Sequence, residues 1–264
     1  MIISGKTAFI TGSARGIGKA LAVAMAERGC AIIGCDLNTE TQASTRDAVH
    51  AAGGKYHALE ADLSHVEQAV AVTEEAISMG FDILVNNAGI APSGSFDTLD
   101  FDRWRKTIDV NLTGLMAITH TALPHLRERD EAFILNMSSI AGVIGAPGMA
   151  AYCASKFGVN GFTRCLEYDL DGTSVHVASV HPSMVRTRMT EGVDNGPTPL
   201  IDVPQVVDAI LHTINTNRTQ TFVPKRVRYS YDIGSRLFPG MVRRVMRRDS
   251  IKGWLRAEKG VPDA

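Results

Sequence analysis

Short apolar segments alternate with helical segments along most of this chain, and this alternation constrains the fold more than any other feature. Residues 6–11 (KTAFIT) are followed by helical spacing over 16–29 and then by a second apolar segment at 30–36. The predicted strands continue at 55–62, 81–89, 132–139, 174–182 and 220–224, and the predicted helices at 39–52, 64–79, 100–128, 150–171 and 203–217. Continuously apolar strands joined by helices are typical of a parallel sheet covered on both faces. We therefore predict one α/β domain built on a doubly wound parallel sheet of about seven strands.

Size and composition agree with one large domain. The chain has 264 residues, of which 45% are hydrophobic and 21% charged, enough for a sizeable core. A formal net charge of −1 gives no reason to expect nucleic acid as a partner. The sequence shows no signal-peptide pattern and no uninterrupted apolar run of about 18 residues, so we expect a cytoplasmic protein. Zinc-site spacing is absent from the cysteines, so we expect reduced thiols and no metal, the four positions being Cys30, Cys35, Cys153 and Cys165.

A glycine-rich segment, TGSARGIG at 11–18, lies between the first predicted strand and the first predicted helix. Its glycines allow a tight turn and close approach to a ligand, and the helix that follows directs free N–H groups and its positive dipole end there. A pyrophosphate suits this position better than an empty turn does, although the spacing G-x-x-x-G-x-G differs from the usual dinucleotide fingerprint. We predict a Rossmann-type cofactor site whose loop contacts are Gly12, Ser13, Arg15, Gly16, Ile17 and Gly18.

Asp36 ends the second predicted strand. In dinucleotide-binding folds an acidic side chain at this place binds the hydroxyls of the adenosine ribose. A carboxylate there accepts hydrogen bonds from the ribose hydroxyls and repels a 2′-phosphate. Arg15 in the loop favours NADP instead, because a guanidinium could bind the 2′-phosphate. The residue after Asp36 is Leu37, so no second basic group assists Arg15. We predict NAD as the cofactor, with NADP less favoured.

Polar residues also end the third and fourth predicted strands. Asp62 could bind the adenine amino group, with Leu63 supplying a backbone N–H, or Asp62 could cap the next helix beside Ser64. The two roles are compatible. The segment NNAG at 86–89 suits contact with a cofactor, although a simple turn would use the same residues. Its predicted cofactor contacts are Asn87, Ala88 and Gly89.

A tyrosine and a lysine occur four residues apart in YCASK, at 152–156, and therefore share one face of a helix. A free phenol has a pKa of about 10, too high for a good base at neutral pH. A neighbouring ammonium stabilises the phenolate, but lowering the pKa by about three units takes roughly 4 kcal/mol, which only a partly dry site supplies. An amphipathic helix pair without chemistry is the alternative explanation of Tyr152 and Lys156.

These segments together resemble the short-chain dehydrogenase/reductase family over residues 5–225. The matching motifs, in chain order, are TGSARGIG, ADL (61–63), NNAG, DVN (109–111), SS (138–139), YCASK and HPSMVRT (181–187). The resemblance implies a catalytic set of Asn111, Ser139, Tyr152 and Lys156. In it the tyrosine exchanges a proton with the substrate hydroxyl, the lysine and the nicotinamide make that phenol more acidic, the serine holds the substrate oxygen, and the asparagine holds a proton-relaying water.

The resemblance also implies contacts and partners outside the catalytic set. The segment after the sixth strand borders the nicotinamide in this family, which singles out Pro182, Val185 and Thr187. This chain has Ser183 where the family usually has glycine, and we expect the serine to tolerate the same backbone angles. A homodimer or homotetramer is implied, formed through the predicted helices at 100–128 and 150–171.

Apolar residues surround the predicted site in the sequence, namely Ile140, Val143, Ile144, Pro147, Met149 and Met184, with Met189, Val193 and Leu200 in a flap at 188–202. They favour a hydrophobic secondary alcohol or ketone as substrate of an NAD-dependent oxidoreductase. One alternative is an NADPH-dependent 3-oxoacyl or carbonyl reductase. Another, of a different class, is an inactive cofactor-binding regulator.

The chain divides by charge into a catalytic part, 1–225, and an extension, 226–264. Residues 225–259 contain 11 Lys/Arg against 3 Asp/Glu, a local charge of +8. Apolar residues recur at helical spacing among the arginines, and Pro239 should end one helix or begin another. The segment 228–256 could therefore lie on an anionic membrane, or its apolar stripe could pack on the domain or on a partner subunit. We favour packing.

Overall fold

The computed structural model describes residues 1–191 and 200–247. The strands are β1 (Thr7–Thr11), β2 (Ala31–Asp36), β3 (Tyr56–Glu60), β4 (Ile83–Asn86), β5 (Ala132–Met137), β6 (Val175–Pro182) and β7 (Gln220–Val223). The helices are α1 (Gly16–Ala26), α2 (Ala43–Ala51), α3 (Val66–Met79), α4 (Phe101–Ile108), α5 (Leu115–Arg127), α6 (Ala150–Asp169), α7 (Val203–Asn215), α8 (Gly234–Leu237) and α9 (Pro239–Met246). The predicted alternation of strands and helices is confirmed.

All seven strands run parallel, in the order β3-β2-β1-β4-β5-β6-β7. The order reverses at β1, which pairs with β2 on one side and with β4 on the other. In such sheets ligands bind beyond the carboxyl ends of the strands, next to this reversal. The predicted site residues follow those ends, so one edge of the sheet carries them all. The single Rossmann-type domain is confirmed.

Both faces of the sheet are buried, as the continuous apolar strands predicted. On one face α1 and α7 supply side chains such as Leu21 and Ile210 to the core. On the other face α3, α5 and α6 supply side chains such as Val72, Ile118 and Leu166. Every residue of β4 and β5 is buried, because helices cover these central strands on both sides.

The predicted helix at 100–128 is wrong in one respect, because a π-helical turn interrupts it. Helix α4 ends at Ile108, the turn covers Asp109–Gly114, and α5 begins at Leu115. Gly114 lies against the backbone of Leu63, since a Cβ placed on Gly114 would come within 2.3 Å of the Leu63 carbonyl oxygen. Single π turns in helices are frequent at functional sites, and this one contains Asn111.

The extension begins directly after β7 with a π-helical turn, Arg228–Ile233, followed by α8 and α9. Pro239 is the first residue of α9, so of its two predicted roles, ending one helix or beginning another, the structure shows that it begins one. Across the described ranges, no helix is both long enough and apolar enough to cross a bilayer. Of the predicted flap, Val193 lies outside the described residues, as does the part of the extension after 247.

Candidate active site

The phosphate loop is held so close to its neighbours that glycine is required at two positions. Gly12 has φ +68°, and a Cβ placed there would lie 2.8 Å from the Cα of Ala88. A Cβ on Gly18 would lie 2.0 Å from the carbonyl oxygen of Gly12. The hydrogen bond nearest the start of α1 joins the Lys19 N–H to the Arg15 carbonyl. The N–H groups of the first turn, which precede it, are therefore left to face a ligand. This arrangement fits a pyrophosphate.

Ser13 does not take the predicted place in the cofactor site. It is completely buried, and its hydroxyl lies 2.8 Å from the Tyr56 hydroxyl and 3.2 Å from the Gln42 side-chain oxygen. The hydroxyl also donates to the Cys35 carbonyl over 3.4 Å. Ser13 therefore supports the loop from behind and offers no surface to a cofactor. Its position in the motif could not reveal this, because its partners come from distant strands and helices.

Asp36 stands at the carboxyl end of β2 with both carboxylate oxygens oriented by the backbone. One oxygen accepts from the Ala14 N–H over 2.8 Å and the other from the Leu37 N–H over 2.9 Å. Each oxygen keeps a second lone pair for another donor. The side chain is half-buried beside the phosphate loop, whereas Arg15 is exposed. This geometry fits an adenosine ribose.

Asp62 already has partners within the protein. One carboxylate oxygen accepts from the Ser64 N–H over 2.9 Å and from its hydroxyl over 2.7 Å, and the other is 3.3 Å from the Lys106 ammonium. Partial burial acts to raise the pKa of this carboxyl, but the Ser64 hydrogen bonds and Lys106 outweigh it and lower the pKa. Asp62 stabilises the turn before α3, whose cap residue is His65. The capping role is therefore present in a modified form, while the adenine contact stays a prediction.

The NNAG segment connects the phosphate loop to the catalytic residues. The Asn87 side-chain amide donates to the carbonyls of Thr11 and Gly12 over 2.9 and 3.1 Å. A Cβ placed on Gly89 would lie 3.2 Å from Asn111 Oδ1 and 3.7 Å from Lys156 Nζ. Any larger residue at 89 would crowd this pair. The segment is therefore more than a simple turn.

The four predicted catalytic residues are brought together at the carboxyl edge of the sheet. Tyr152 shares a side-chain hydrogen bond with Ser139. Lys156 is 5% exposed, its ammonium donates to the Met137 carbonyl over 2.7 Å, and it lies 5.7 Å from the centre of the Tyr152 ring. A fully exposed pair would not achieve this degree of desolvation. Of the two adjacent serines, Ser139 interacts with the Tyr152 phenol, whereas the Ser138 hydroxyl is directed to the Lys156 backbone carbonyl at 3.5 Å.

Asn111 is fixed by three hydrogen bonds within the π turn. Its side-chain oxygen accepts from the Ile90 N–H over 2.8 Å, and its amide donates to the Ile90 carbonyl over 2.9 Å. The same amide donates to the Ser155 hydroxyl over 3.1 Å. These bonds tie the π turn to the strand end beside Lys156 and to the catalytic helix α6. They explain why a poor helix former is found at this position.

The pKa of Tyr152 in the Tyr152–Lys156 pair differs from our expectation. Burial lowers the pKa of Lys156 to about 8, which leaves the ammonium charged at neutral pH. Burial also raises the pKa of Tyr152 to about 12, and the Ser139 hydrogen bond offsets only part of this rise. The chain's own side chains therefore do not lower the phenol pKa as we expected. The reason is that loss of hydration destabilises the phenolate more than its neighbours stabilise it.

His181 is a site neighbour that the sequence did not reveal. It is completely buried at the end of β6, stacked on Phe222 with ring centres 4.5 Å apart. Its Nδ1 lies 3.4 Å from the Ser139 carbonyl and its Nε2 lies 2.9 Å from the Ser179 hydroxyl. Burial lowers the pKa of His181 to about 4, so the ring is neutral, with the Nδ1 proton facing the carbonyl. A histidine inside an apolar strand was the only available signal.

The segment after β6 lies next to the phosphate loop at the same edge of the sheet. Ser183 donates its N–H to the Val223 carbonyl over 2.8 Å, and among described non-glycine residues only Asn217 has a positive φ. The serine therefore tolerates the family's glycine position, as expected. Val185 bridges to Ile201, and a methyl of Thr187 would lie 3.9 Å from a Cβ placed on Gly16. Pro182 ends β6 beside them.

Comparisons with known proteins agree with this site. The profile described as short chain dehydrogenase matches residues 6–197. The trans-4-hydroxycyclohexanecarboxylate dehydrogenase of Sinomonas cyclohexanicum is 36% identical over 202 residues, covering 74% of this chain and 78% of that protein. A 3-oxoacyl-[acyl-carrier-protein] reductase of Thermotoga maritima is 33% identical over 193 residues, covering 72% and 78%.

A solved structure shows the same architecture over most of the chain. The short-chain dehydrogenase from Sphingobium yanoikuyae, in complex with NADPH, superposes with a TM-score of 0.79 at 26% identity, covering 90% of this chain and 95% of that one. The motifs, the geometry and the similarity agree. The chain therefore belongs to the short-chain dehydrogenase/reductase family, and it is an NAD(P)-binding oxidoreductase.

Proposed function

We propose that this protein transfers a hydride between NAD(H) and a hydrophobic secondary alcohol or ketone. The observation that carries the proposal is the buried ammonium of Lys156 beside Tyr152 and Ser139, at the sheet edge that also presents the phosphate loop. When bound, the nicotinamide supplies the hydride acceptor or donor and, in its oxidised form, a positive charge.

The side chains divide the remaining work. Ser139 holds the substrate oxygen by a hydrogen bond, and the Tyr152 hydroxyl takes or returns the proton of that oxygen. Lys156 keeps a positive charge in a dry environment, where the charge acts strongly on a developing phenolate. Asn111 fixes the backbone of Ile90 next to this ammonium. We further propose that a water near Lys156 and Asn111 relays the proton to solvent.

Buried apolar side chains near the catalytic residues support the proposed substrate class. Ile144 and Met149 are buried beside the catalytic helix. Arg186, the nearest candidate for binding a substrate carboxylate, is exposed and donates to Asp202 over 3.1 Å instead. The Sinomonas relative is named for a cyclic secondary alcohol that also carries a carboxylate, so only the ring and the hydroxyl of that compound support the proposed class. We propose that cyclic secondary alcohols without a required anionic group are the preferred class.

Cofactor choice rests on Asp36. Its carboxylate is oriented for a ribose diol and repels a 2′-phosphate, which favours NAD. The alternative, an NADPH-dependent 3-oxoacyl reductase, has the support of the Thermotoga relative and of the NADPH in the Sphingobium structure. The relative efficiencies with NAD and NADP separate the two.

We also propose a homodimer or homotetramer formed through α5 and α6. Both helices carry exposed apolar side chains, among them Met116 on α5 and Phe157 on α6. Gel filtration with light scattering tests this. A monomer at all concentrations would contradict it.

The decisive experiment is turnover of a panel of secondary alcohols and ketones, followed at the absorbance of the reduced nicotinamide. Tyr152→Phe should lower kcat/KM by about 10²–10⁴-fold, because it removes the proton donor and acceptor. Tyr168→Phe is the matched control on the same helix, since Tyr168 is exposed at its far end. Undiminished turnover by Tyr152→Phe would refute the assignment. Cofactor binding without turnover of any compound would favour the inactive regulator.

A further inference from the structure

The extension leaves the domain at the edge that carries the active site. Strand β7 is parallel to β6, and its last residue, Val223, accepts the N–H of Ser183 over 2.8 Å. The first residues of the extension therefore adjoin the segment that borders the predicted nicotinamide position. The extension therefore starts beside the catalytic edge.

The apolar side chains of the extension are largely unpacked. Val227 is buried, but Leu237 is 66% exposed, Phe238 58% and Met241 60%. Packing of these residues on their own domain, one of the two forms of packing we expected, is therefore wrong, and packing on a partner subunit stays a prediction. Large apolar side chains exposed side by side mark an interaction surface.

Helix α9 separates apolar and basic residues around its axis. At about 100° per residue, Phe238, Met241, Val242, Val245 and Met246 fall within one arc of about 140°. The arginines fall on the opposite side, at Arg243, Arg244 and Arg247. A short helix with one apolar face and one basic face suits the boundary between lipid headgroups and acyl chains, where arginine side chains extend to the phosphates.

Charge decides between a membrane and a second copy of the chain. Residues 225–247 contain seven Lys/Arg (225, 226, 228, 236, 243, 244, 247) and one Asp (232), a net charge of +6. Two such segments packed together would repel each other, and charged residues are depleted from the cores of protein interfaces. An anionic bilayer offers both an apolar phase and a compensating charge.

We propose that residues 228–247 form a docking surface for anionic membranes. The surface holds the protein at the lipid boundary without crossing the bilayer. Together with the proposed function, on which this consequence rests, it presents the active-site edge to apolar alcohols dissolved in the membrane. Membrane binding itself is independent of turnover.

The test is cosedimentation of the full chain with vesicles of phosphatidylserine and phosphatidylcholine in equal parts, compared with pure phosphatidylcholine, in the absence of substrate. Binding should need phosphatidylserine and weaken with salt. Each basic residue near such a surface contributes about fivefold to partitioning. The triple variant Arg243→Gln/Arg244→Gln/Arg247→Gln should therefore bind about 100-fold more weakly.

The matched control removes three charges elsewhere, by Arg28→Gln/Arg46→Gln/Lys55→Gln, at exposed positions on the body. It should retain binding within a few fold, and both triple variants should keep wild-type turnover of a soluble alcohol. No cosedimentation with anionic vesicles, or equal loss in both triple variants, would overturn the proposal. Self-association that disappears in Met241→Ser, without vesicle binding, would overturn it in favour of a second copy. An inactive protein that still binds vesicles would contradict only the proposed function.

Discussion

Replacing Asp36 with asparagine tests the cofactor assignment directly. The carboxylate accepts the N–H groups of Ala14 and Leu37, so its position at the end of β2 is set by the backbone. Asparagine has the same shape, but its one acceptor oxygen can serve only one of these two donors. The variant therefore removes the negative charge together with one backbone hydrogen bond.

The size of the effect follows from the half-buried position of Asp36. An effective dielectric constant of about 40, between those of a protein surface and water, gives roughly 2 kcal/mol of repulsion with a phosphate at about 5 Å. Loss of the charge also weakens the hydrogen bonds to the ribose hydroxyls of NAD, by about 1 kcal/mol in total. Together these terms lower the preference for NAD over NADP by about 10²-fold.

The assay measures kcat/KM for NAD and for NADP with one saturating alcohol, in the wild type and in Asp36→Asn. The wild type should prefer NAD, and the variant should lose about 10²-fold of that preference, with contributions from both cofactors. Asp208→Asn, an exposed carboxylate on α7, controls for a general change of charge. A wild type that prefers NADP, or a ratio unchanged in Asp36→Asn, would refute the role of Asp36 and favour Arg15.

Two further variants test the lysine and the loop. Because burial lowers the pKa of Lys156 from 10.5 to about 8, the unfolded chain binds more protons than the folded one between these pH values. Between pH 8 and pH 10.5 the unfolding free energy of the wild type should therefore rise by about 3 kcal/mol relative to that of Lys156→Met. Urea titration of both proteins at each pH measures this difference. A difference that does not change with pH would contradict the desolvation argument. The second variant, Gly18→Ala, should abolish cofactor binding and destabilise the fold by at least about 2 kcal/mol, because the Cβ of the new alanine would meet the Gly12 carbonyl. Gly240→Ala, where a Cβ meets nothing within 4 Å, should leave both unchanged, and calorimetric titration with NAD decides the comparison.

Local patterns were sufficient for the architecture and for the positions of the main site residues. Apolar strands that alternate with helices permit few arrangements other than a doubly wound parallel sheet, and such a sheet brings its strand ends to one edge. The positions of Gly12, Asp36 and Gly89 therefore followed from the places where strands end or helices begin, whereas the choice of Ser139 came from the family resemblance. The four-residue spacing of Tyr152 and Lys156 likewise set their common face, because helix geometry is local.

Properties that depend on distant contacts were not predictable. In the π turn that contains Asn111, Gly114 lies against Leu63, and Ser13 faces inward where Tyr56 and Gln42 meet it.

The sequence by itself determined the fold class and the family, since these depend on periodicity and on the order of motifs along the chain. The reacting side chains stay a prediction that the family resemblance implies. Only the tertiary structure decided the burial that raises the Tyr152 pKa and lowers that of Lys156, the neutral His181 behind Ser139, and the exposed apolar face of α9. Hydration and packing are set by residues far apart in the chain, so they become definite only when the chain is folded.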